Sequence, residues 1–187
     1  MSGGQSSLTL PYPVQYVSTW RMKNGAEVLI RPIRPQDEPA MARFHERISD
    51  RSTYLRYFHA EKLSTRVAHE RLVKRCVIDY EREMAFVVEL AGAKACIPQI
   101  IGVGRLVCSP GGRDAEIAIL VADAFQNLGL GAELMRRLIQ FGRDRELERL
   151  TAVVLPENTA MRALAAKQGF TLVQSSDLSE IHLTLLL

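Results

Sequence analysis

The residues from Gln126 to Gly131, QNLGLG, have the types and spacing best suited to binding an anion. They separate an apolar segment that predicts a strand, Glu116 to Val121, from an amphipathic segment that predicts a helix from about Leu128. Glycines at positions 129 and 131 allow a ligand to approach the main chain closely. The first turn of a helix also presents unpaired N–H groups and the positive end of the helix dipole. The stretch therefore predicts a pyrophosphate-binding loop.

The two best-known glycine-rich nucleotide motifs do not match this stretch. A P-loop is excluded because no Gly-Lys-Ser/Thr sequence follows. A dinucleotide-binding fingerprint is excluded because its third glycine would fall at Leu134. A purely structural glycine turn remains the alternative. Gln126 would hydrogen-bond either a phosphate oxygen or the backbone of the loop itself.

The composition is that of an ordinary globular domain. The chain has 187 residues, 47% of them hydrophobic and 24% charged, which is enough for one domain with a full core. The net charge of +3 is too small to indicate a nucleic-acid partner. No apolar run approaches the length of a membrane span, and the first residues lack the basic segment of a signal peptide. Three cysteines without a CxxC pair and four scattered histidines favour free thiols in the cytoplasm and no metal site.

Hydrophobic periodicity and turn residues predict the order of elements. Residues 1–10 are expected to be a disordered tail, followed by one domain over residues 11–187. A hairpin turns at Lys23-Asn24-Gly25. Two helices follow, from Glu38 to Ile48 with Asp37 as N-cap, and from Leu63 to Lys74 with Ser64 as N-cap.

The second half of the chain alternates between strands and helices. Three strands precede the glycine loop, and a helix, a strand, a helix ending at Gly169 and a final strand follow it. The strands are expected at residues 84–90, 100–108, 116–121, 149–155 and 180–187. This order predicts an α/β (α+β) fold with a mostly antiparallel mixed sheet, flanking helices and one parallel crossover after the glycine loop.

QNLGLG resembles the Q/R-x-x-G-x-G/A pyrophosphate loop of GNAT-type N-acetyltransferases, and the order of elements is also that of the GNAT fold. The segments NGAEVLIRPIRPQDEP, STYLRYF and IDYEREMAF are similar to the acetyltransferase domain of bacterial protein lysine acetyltransferases. That domain is often fused to an NDP-forming acyl-CoA synthetase-like region. The chain lacks that region, and whether it is a stand-alone member or an excised domain stays open.

The resemblance implies a single GNAT domain that uses acetyl-CoA and no metal. The expected acceptor is a protein lysine, on an acyl-CoA synthetase or a similar metabolic enzyme. Main-chain atoms of Ile119 and Val121, at a splayed strand end, would bind the acetyl and pantetheine amides. Asn158 would reach the pantetheine arm, although it is equally suited to cap the following helix. The loop and first helical turn would hold the pyrophosphate: Gln126, Asn127, Leu128, Gly129, Leu130, Gly131 and Ala132.

Glu116 is the candidate general base. A lysine with a pKa of about 10.4 must lose its proton before attack, which at pH 7 costs roughly 4–5 kcal/mol. A carboxylate can take that proton directly or through a water, and the resemblance places the family's catalytic glutamate at Glu116. A solvent-facing strand glutamate is the alternative. Asp79, Glu81 and Glu83 are weaker rivals that would instead bind a positively charged acceptor.

The sequence departs from the family pattern at two places. Ala165 stands where many GNAT enzymes have a tyrosine that protonates the departing thiolate, and the loop from Ala91 to Gln99 is longer than a tight hairpin.

Three functions are compatible with the sequence. The first function is acetyl transfer to a protein lysine through a ternary complex and general-base catalysis. The others are acetylation of a small amine, such as a polyamine or antibiotic, and acyl-CoA sensing without turnover. The presence of Glu116 and the glycines favours an enzyme.

Overall fold

The computed structural model describes residues 11–90 and 98–187. Its strands are β1 (Ser18–Arg21), β2 (Glu27–Pro32), β3 (Glu83–Leu90), β4 (Ile100–Cys108), β5 (Asp114–Val121), β6 (Arg149–Val154), β7 (Thr171–Gln174) and β8 (Ile181–Leu186). They form one sheet in the order β1-β2-β3-β4-β5-β6-β8-β7. β5 and β6 are parallel, and every other neighbouring pair is antiparallel. The predicted mixed sheet with one parallel crossover is confirmed.

The helices cover both faces of this sheet. They are α1 (Glu38–Glu46), α2 (Asp50–Tyr57), α3 (Leu63–Arg66), α4 (His69–Cys76), α5 (Leu130–Asp144) and α6 (Thr159–Lys167). Met84, Phe86 and Val88 of β3 join a large core with α5 and α6, whereas Ala85 and Val87 join a smaller core with α1 and α4. β3 is therefore apolar along its whole central length because both of its faces are covered.

The helical region between β2 and β3 differs from the sequence-based expectation. The single helix predicted from Leu63 to Lys74 is wrong, because α3 ends at Arg66 and α4 begins only at His69. The N-cap of α3 is Lys62 and not Ser64. The helix α2 was not predicted, since its sequence DRSTYLRY has no continuous apolar face.

Asp37 does not cap α1 through its side chain. Its carboxylate accepts the main-chain N–H of Arg34 at 2.7 Å and pairs with the buried guanidinium of Arg31 at 2.7 and 2.8 Å. A charged pair enclosed by the fold explains why the carboxylate turns away from the first turn of the helix. The short strand β7 was also missed, because most of its side chains are exposed and give no alternation of burial.

Two sequence-based expectations lie outside the described residues: the tail at residues 1–10 and most of the loop from Ala91 to Gln99. Within the described parts of the chain, every helix is too short or too polar to span a lipid bilayer.

Candidate active site

β5 and β6 run side by side for only three residue pairs, the last of which is Glu116 with Thr151. β6 then continues against β8 as far as Val154, while β5 continues against β4 as far as Val121. The two strands therefore diverge immediately after Glu116. This is the splayed strand end that the family resemblance implied.

Main-chain groups of β5 face the gap that opens between the two strands. The N–H of Ala122 donates to Ile101 on the β4 side at 2.9 Å, and successive residues of a strand point their main-chain groups to opposite edges. The carbonyl of Val121 accordingly points away from β4, where it accepts Nε2 of Gln126 at 3.2 Å. By the same alternation, Ile119 also presents its main chain at this edge of β5.

The glycine loop leads from β5 into α5. Asn127 and Gly129 adopt left-handed φ values of 62° and 91°. The first main-chain bond of α5 runs from the N–H of Glu133 to the carbonyl of Gly129 at 3.1 Å. The N–H groups of residues 130–132 have no acceptor in the described part of the chain. The predicted anion-binding helix start is therefore available, two residues later than the expected Leu128.

The glycines of this loop also serve the packing of the protein. A Cβ atom on Gly129 would lie 3.1 Å from Cη2 of Trp20, and one on Gly131 would lie 3.3 Å from Cδ2 of Leu164. Gly129 additionally needs its positive φ. Close approach of a ligand is the reason for these glycines that the sequence alone indicates. The packing and the positive φ are additional reasons for glycine at these positions.

Gln126 links the loop to helix α2. Its Nε2 donates to Val121 and to Oγ of Ser52, both at 3.2 Å. Asp123 accepts the N–H and Oγ of Ser49 at 2.9 and 2.6 Å, and Oγ of Ser52 at 2.8 Å. These polar contacts explain how α2 is held without a continuous apolar face, and they tie it to the start of the predicted cofactor loop.

Glu116 is exposed on the sheet face that carries the smaller core. Its Cα partners are Val107 on β4 and Thr151 on β6. No protein hydrogen bond to its carboxylate exists among the described residues, so the group is available to a substrate or a water. Burial lowers the pKa of the nearby Arg56 guanidinium, and the negative charge of Glu116 partly opposes that effect.

Asn158 lies between the end of β6 and α6, and its side-chain oxygen accepts the N–H of Met161 at 3.2 Å. It is therefore the N-cap of α6, one of the two roles expected from the sequence. Its contact with the pantetheine arm stays a prediction.

The three acidic residues expected to meet the acceptor have different surroundings. Asp79 accepts the N–H of Glu81 at 3.0 Å and so shapes a turn. Glu83 forms an ion pair with Arg105. Glu81 alone has a carboxylate without a hydrogen-bond partner in the described residues, which makes it the best placed of the three to contact another molecule.

Lys23 is a candidate cofactor residue that the sequence did not reveal. Its N–H donates to the carbonyl of Leu128 at 3.1 Å. Its Cε atom lies 3.7 Å from the position of a Cβ on Gly129. The hairpin turn thus brings an exposed ammonium group beside the glycine loop. No local pattern could have shown this, because the contact joins residues more than a hundred positions apart.

Ala165, at the position of the family's thiolate acid, has no exposed surface and belongs to the larger core. Within residues 11–90 and 98–187, no three His, Cys, Asp or Glu side chains form a group that could hold a metal ion.

A family model described as an acetyltransferase (GNAT) domain matches residues 27–171. The chain belongs to the GNAT acetyltransferase family. This acetyltransferase is 32% identical to an acetyltransferase of Pseudomonas aeruginosa over 149 residues, which cover 80% of this chain and 77% of the relative. It is 28% identical to acetyltransferase Pat of Mycolicibacterium smegmatis over 160 residues, which cover 85% of this chain and 44% of Pat.

Solved structures show the same fold. The acetyltransferase superposes on the GNAT domain of S. lividans PAT with a TM-score of 0.83 at 24% identity, over 95% of this chain and 100% of that domain. The TM-score is 0.67 with Mycobacterium smegmatis RimJ in complex with CoA-disulfide, at 22% identity over 91% and 86% of the two chains. The protein is thus an N-acetyltransferase with a single GNAT-fold domain, from a family that uses acetyl-CoA.

Proposed function

We propose that this acetyltransferase transfers the acetyl group of acetyl-CoA to the ε-amine of a protein lysine within a ternary complex. The observation that carries the proposal is the divergence of β5 from β6 immediately after Glu116. Because of this divergence, the carboxylate of Glu116, the unpaired edge of β5 and the first turn of α5 follow one another along the chain. The similarity to Pat and to the GNAT domain of PAT supports a protein acceptor.

In this proposal acetyl-CoA lies along the free edge of β5. Its pyrophosphate meets the amides from Asn127 to Ala132, and the ammonium group of Lys23 adds positive charge at the same place. Its pantetheine arm bonds main-chain groups of Ile119 and Val121, with Asn158 on the opposite side of the gap. The residues of this chain fit the cosubstrate, because the N–H groups of the first turn of α5 have no acceptor among the described residues.

Glu116 supplies the acid–base chemistry. Its carboxylate takes a proton from the lysine ammonium, directly or through a water. The neutral amine then forms a C–N bond to the thioester carbonyl, whose developing negative charge is stabilised by a main-chain N–H at the free edge of β5. Cleavage of the C–S bond releases CoA thiolate, and the second proton of the nitrogen returns to solvent. Thiols have a pKa near 8.5, so water can protonate the thiolate without a side-chain acid at position 165.

The acceptor lysine approaches from the sheet face on which Glu116 is exposed. Glu81 is the acidic residue we expect to contact basic groups of the acceptor, since Asp79 and Glu83 are engaged by the protein itself. Cys76 and Cys108 are free thiols, which is consistent with action in a reducing cytoplasm.

The test is an acetylation assay with purified protein, acetyl-CoA and two panels of acceptors. The first panel contains folded proteins, including acyl-CoA synthetases, and the second contains polyamines, aminoglycosides and free lysine. Mass spectrometry should locate acetyl-lysine in at least one protein, with higher catalytic efficiency than any small amine. Efficient turnover confined to small amines would replace the proposal with small-molecule acetylation, and CoA binding with no turnover of any acceptor would indicate an acyl-CoA sensor.

A further inference from the structure

A small, partly open cavity lies on the same face of the sheet as Glu116 and has a volume of about 40 Å³. Such a volume accommodates a water or a group of similar size, such as a carboxylate. Its polar walls come from helices α1, α2 and α4 and from strand β4, and its floor includes Ala118, two residues from Glu116 on β5. The polar lining residues are His45, Arg56, Tyr57, Arg71, Arg75 and Arg105.

The guanidinium groups around the cavity outnumber their acidic partners. Arg71 pairs with Glu61, and Arg105 pairs with Glu83. Arg56 and Arg75 have no carboxylate within 4 Å among the described residues. Arg56 and Arg71 also lie against the same Tyr57 ring, at 5.1 and 5.2 Å from its centroid. The cavity therefore carries an excess of positive charge.

Burial, and to a smaller extent the neighbouring arginine charges, lower the pKa values of two ionisable groups around the cavity. Burial, reinforced by the charges of Arg75 and Arg56, lowers the pKa of Arg105 to about 10. Burial together with Arg71 and Arg66 lowers the pKa of His45 to about 4, so His45 is neutral at physiological pH. An anion in the cavity would relieve the repulsion among these like charges.

His45 is a buried polar residue on the wall of the cavity. Its side chain is almost fully enclosed, with 6% relative exposure, and its Nδ1 atom has no hydrogen-bond partner in the described residues. A buried polar atom without a partner costs about 1–3 kcal/mol.

We infer that this cavity binds a carboxylate of the acceptor and that the enzyme selects a lysine with an acidic residue within two residues of it in sequence. The inference rests on the proposed function, since it specifies the acceptor of the same site. A planar guanidinium group binds a carboxylate through two parallel hydrogen bonds, and a carboxylate fits a cavity of about 40 Å³. Anchoring it beside Ala118 would bring the neighbouring amine towards Glu116.

The test uses pairs of lysine peptides that differ only by Glu or Gln within two residues of the lysine. The wild-type enzyme should acetylate the best Glu peptide with a kcat/KM about tenfold or more above its Gln counterpart, as expected for a lost charge-assisted hydrogen bond. The ratio should fall towards one in Arg56→Gln and Arg75→Gln, and it should fall in the wild type with added salt. Arg143→Gln is the matched control, because Arg143 is exposed on α5 at the other face of the sheet.

The Kd for CoA, measured by calorimetric titration, and the Tm should be unchanged in Arg75→Gln, because the side chain of Arg75 is exposed. This variant is therefore sufficient for the test even if Arg56→Gln fails to fold. Free L-lysine compared with L-lysinamide distinguishes the α-carboxylate of a small amino acid from a carboxylate of a protein. A large preference for L-lysine, with efficiency above that of every peptide, would overturn the assignment to a protein carboxylate. Equal rates for Glu and Gln peptides would overturn the inference alone, whereas acetylation of no peptide or protein would overturn the proposed function.

Discussion

Glu83 and Glu116 are both paired with Val107, Glu83 across β3 and β4 and Glu116 across β4 and β5. Their side chains therefore share one face of the sheet, two strand spacings or about 10 Å apart. The carboxylate of Glu83 forms an ion pair with Arg105, whereas the carboxylate of Glu116 has no such partner in the described residues. Two glutamates that both look suitable in the sequence thus differ in availability, which favours Glu116 as the base.

Glu116→Gln should lower kcat by about a hundredfold or more at neutral pH, because a general base typically contributes that much. CoA affinity should be unchanged in a calorimetric titration. The deficit should shrink as the pH approaches the pKa of the acceptor amine, since the amine then deprotonates unaided. Glu46→Gln, on the exposed end of α1, is the matched control. A variant with wild-type kcat at neutral pH would make Glu116 structural.

Ala132→Asp should abolish CoA binding, because it places a negative charge at the start of α5 where the pyrophosphate is proposed to lie. Ala132→Asn has nearly the same size without the charge and should weaken binding far less. An aspartate in the first turn favours the helix itself, so folding should be retained. This pair is cleaner than a substitution of Gly129, whose φ of 91° would strain any other residue. Equal CoA affinities of the two variants would contradict the proposed pyrophosphate position.

Lys23→Gln should raise the Kd for CoA by about threefold to tenfold, the range expected for one partly exposed charge near a phosphate. The difference from the wild type should narrow as salt is added. Lys62→Gln removes an exposed lysine at the N-cap of α3 and should leave the Kd unchanged. A Kd unaffected by the change at Lys23 would remove this residue from the cofactor site.

Asp123→Ala should loosen the attachment of α2 to the glycine loop and destabilise the fold by about 1 kcal/mol at neutral pH. Burial raises the pKa of Asp123, but the hydrogen bonds from Ser49 and Ser52 outweigh it and hold the pKa below its ordinary value of 3.8. A lowered pKa means that the stabilisation is complete above that value and is lost as the pH falls through the folded-state pKa.

The free energies of unfolding in urea of the wild type and Asp123→Ala should therefore differ at pH 7 and become equal in strong acid. Because α2 also carries Arg56 and Tyr57, the variant should show a higher KM for the acceptor with a smaller change in CoA affinity. A difference in stability that is independent of pH would show that the carboxylate charge is not the stabilising feature.

Ala165→Tyr should destabilise the protein by about 1–3 kcal/mol through overpacking. Ala165 is fully buried in the larger core, so a phenol cannot be added there without displacing its neighbours. A drop in Tm without any gain in kcat is the expected result. A stable variant with faster turnover would mean that the site accommodates the phenol and that thiolate protonation limits the native enzyme.

Much of the fold could be predicted because its strands are long and apolar. Hydrophobic runs predicted the strands β4, β5 and β6, and the glycine loop and helix between β5 and β6 predicted the parallel crossover. Glu116 and the QNLGLG loop could be placed because both belong to that continuous segment. Helix α2 could not, since its position depends on side-chain contacts of Ser49 and Ser52 with Asp123, more than seventy residues away.

The arginine cavity was beyond sequence reasoning for the same physical reason. Arg56, Arg75 and Arg105 belong to three elements, and they are far apart in the sequence. Their convergence is created by tertiary packing over the face of the sheet. The segment STYLRYF, which contributes to the family resemblance, contains Arg56 and Tyr57, but the resemblance carried no role for either.

The packing of Trp20 against Gly129 has a practical consequence. Trp20 is the chain's sole tryptophan, and its ring is partly exposed beside the loop proposed to hold the pyrophosphate. Indole emission depends on the polarity around the ring, and a dianionic group arriving on this loop would change that polarity. The protein thus contains an intrinsic fluorophore at its cosubstrate loop, and stopped-flow fluorescence would follow the association and release of acyl-CoA without a label.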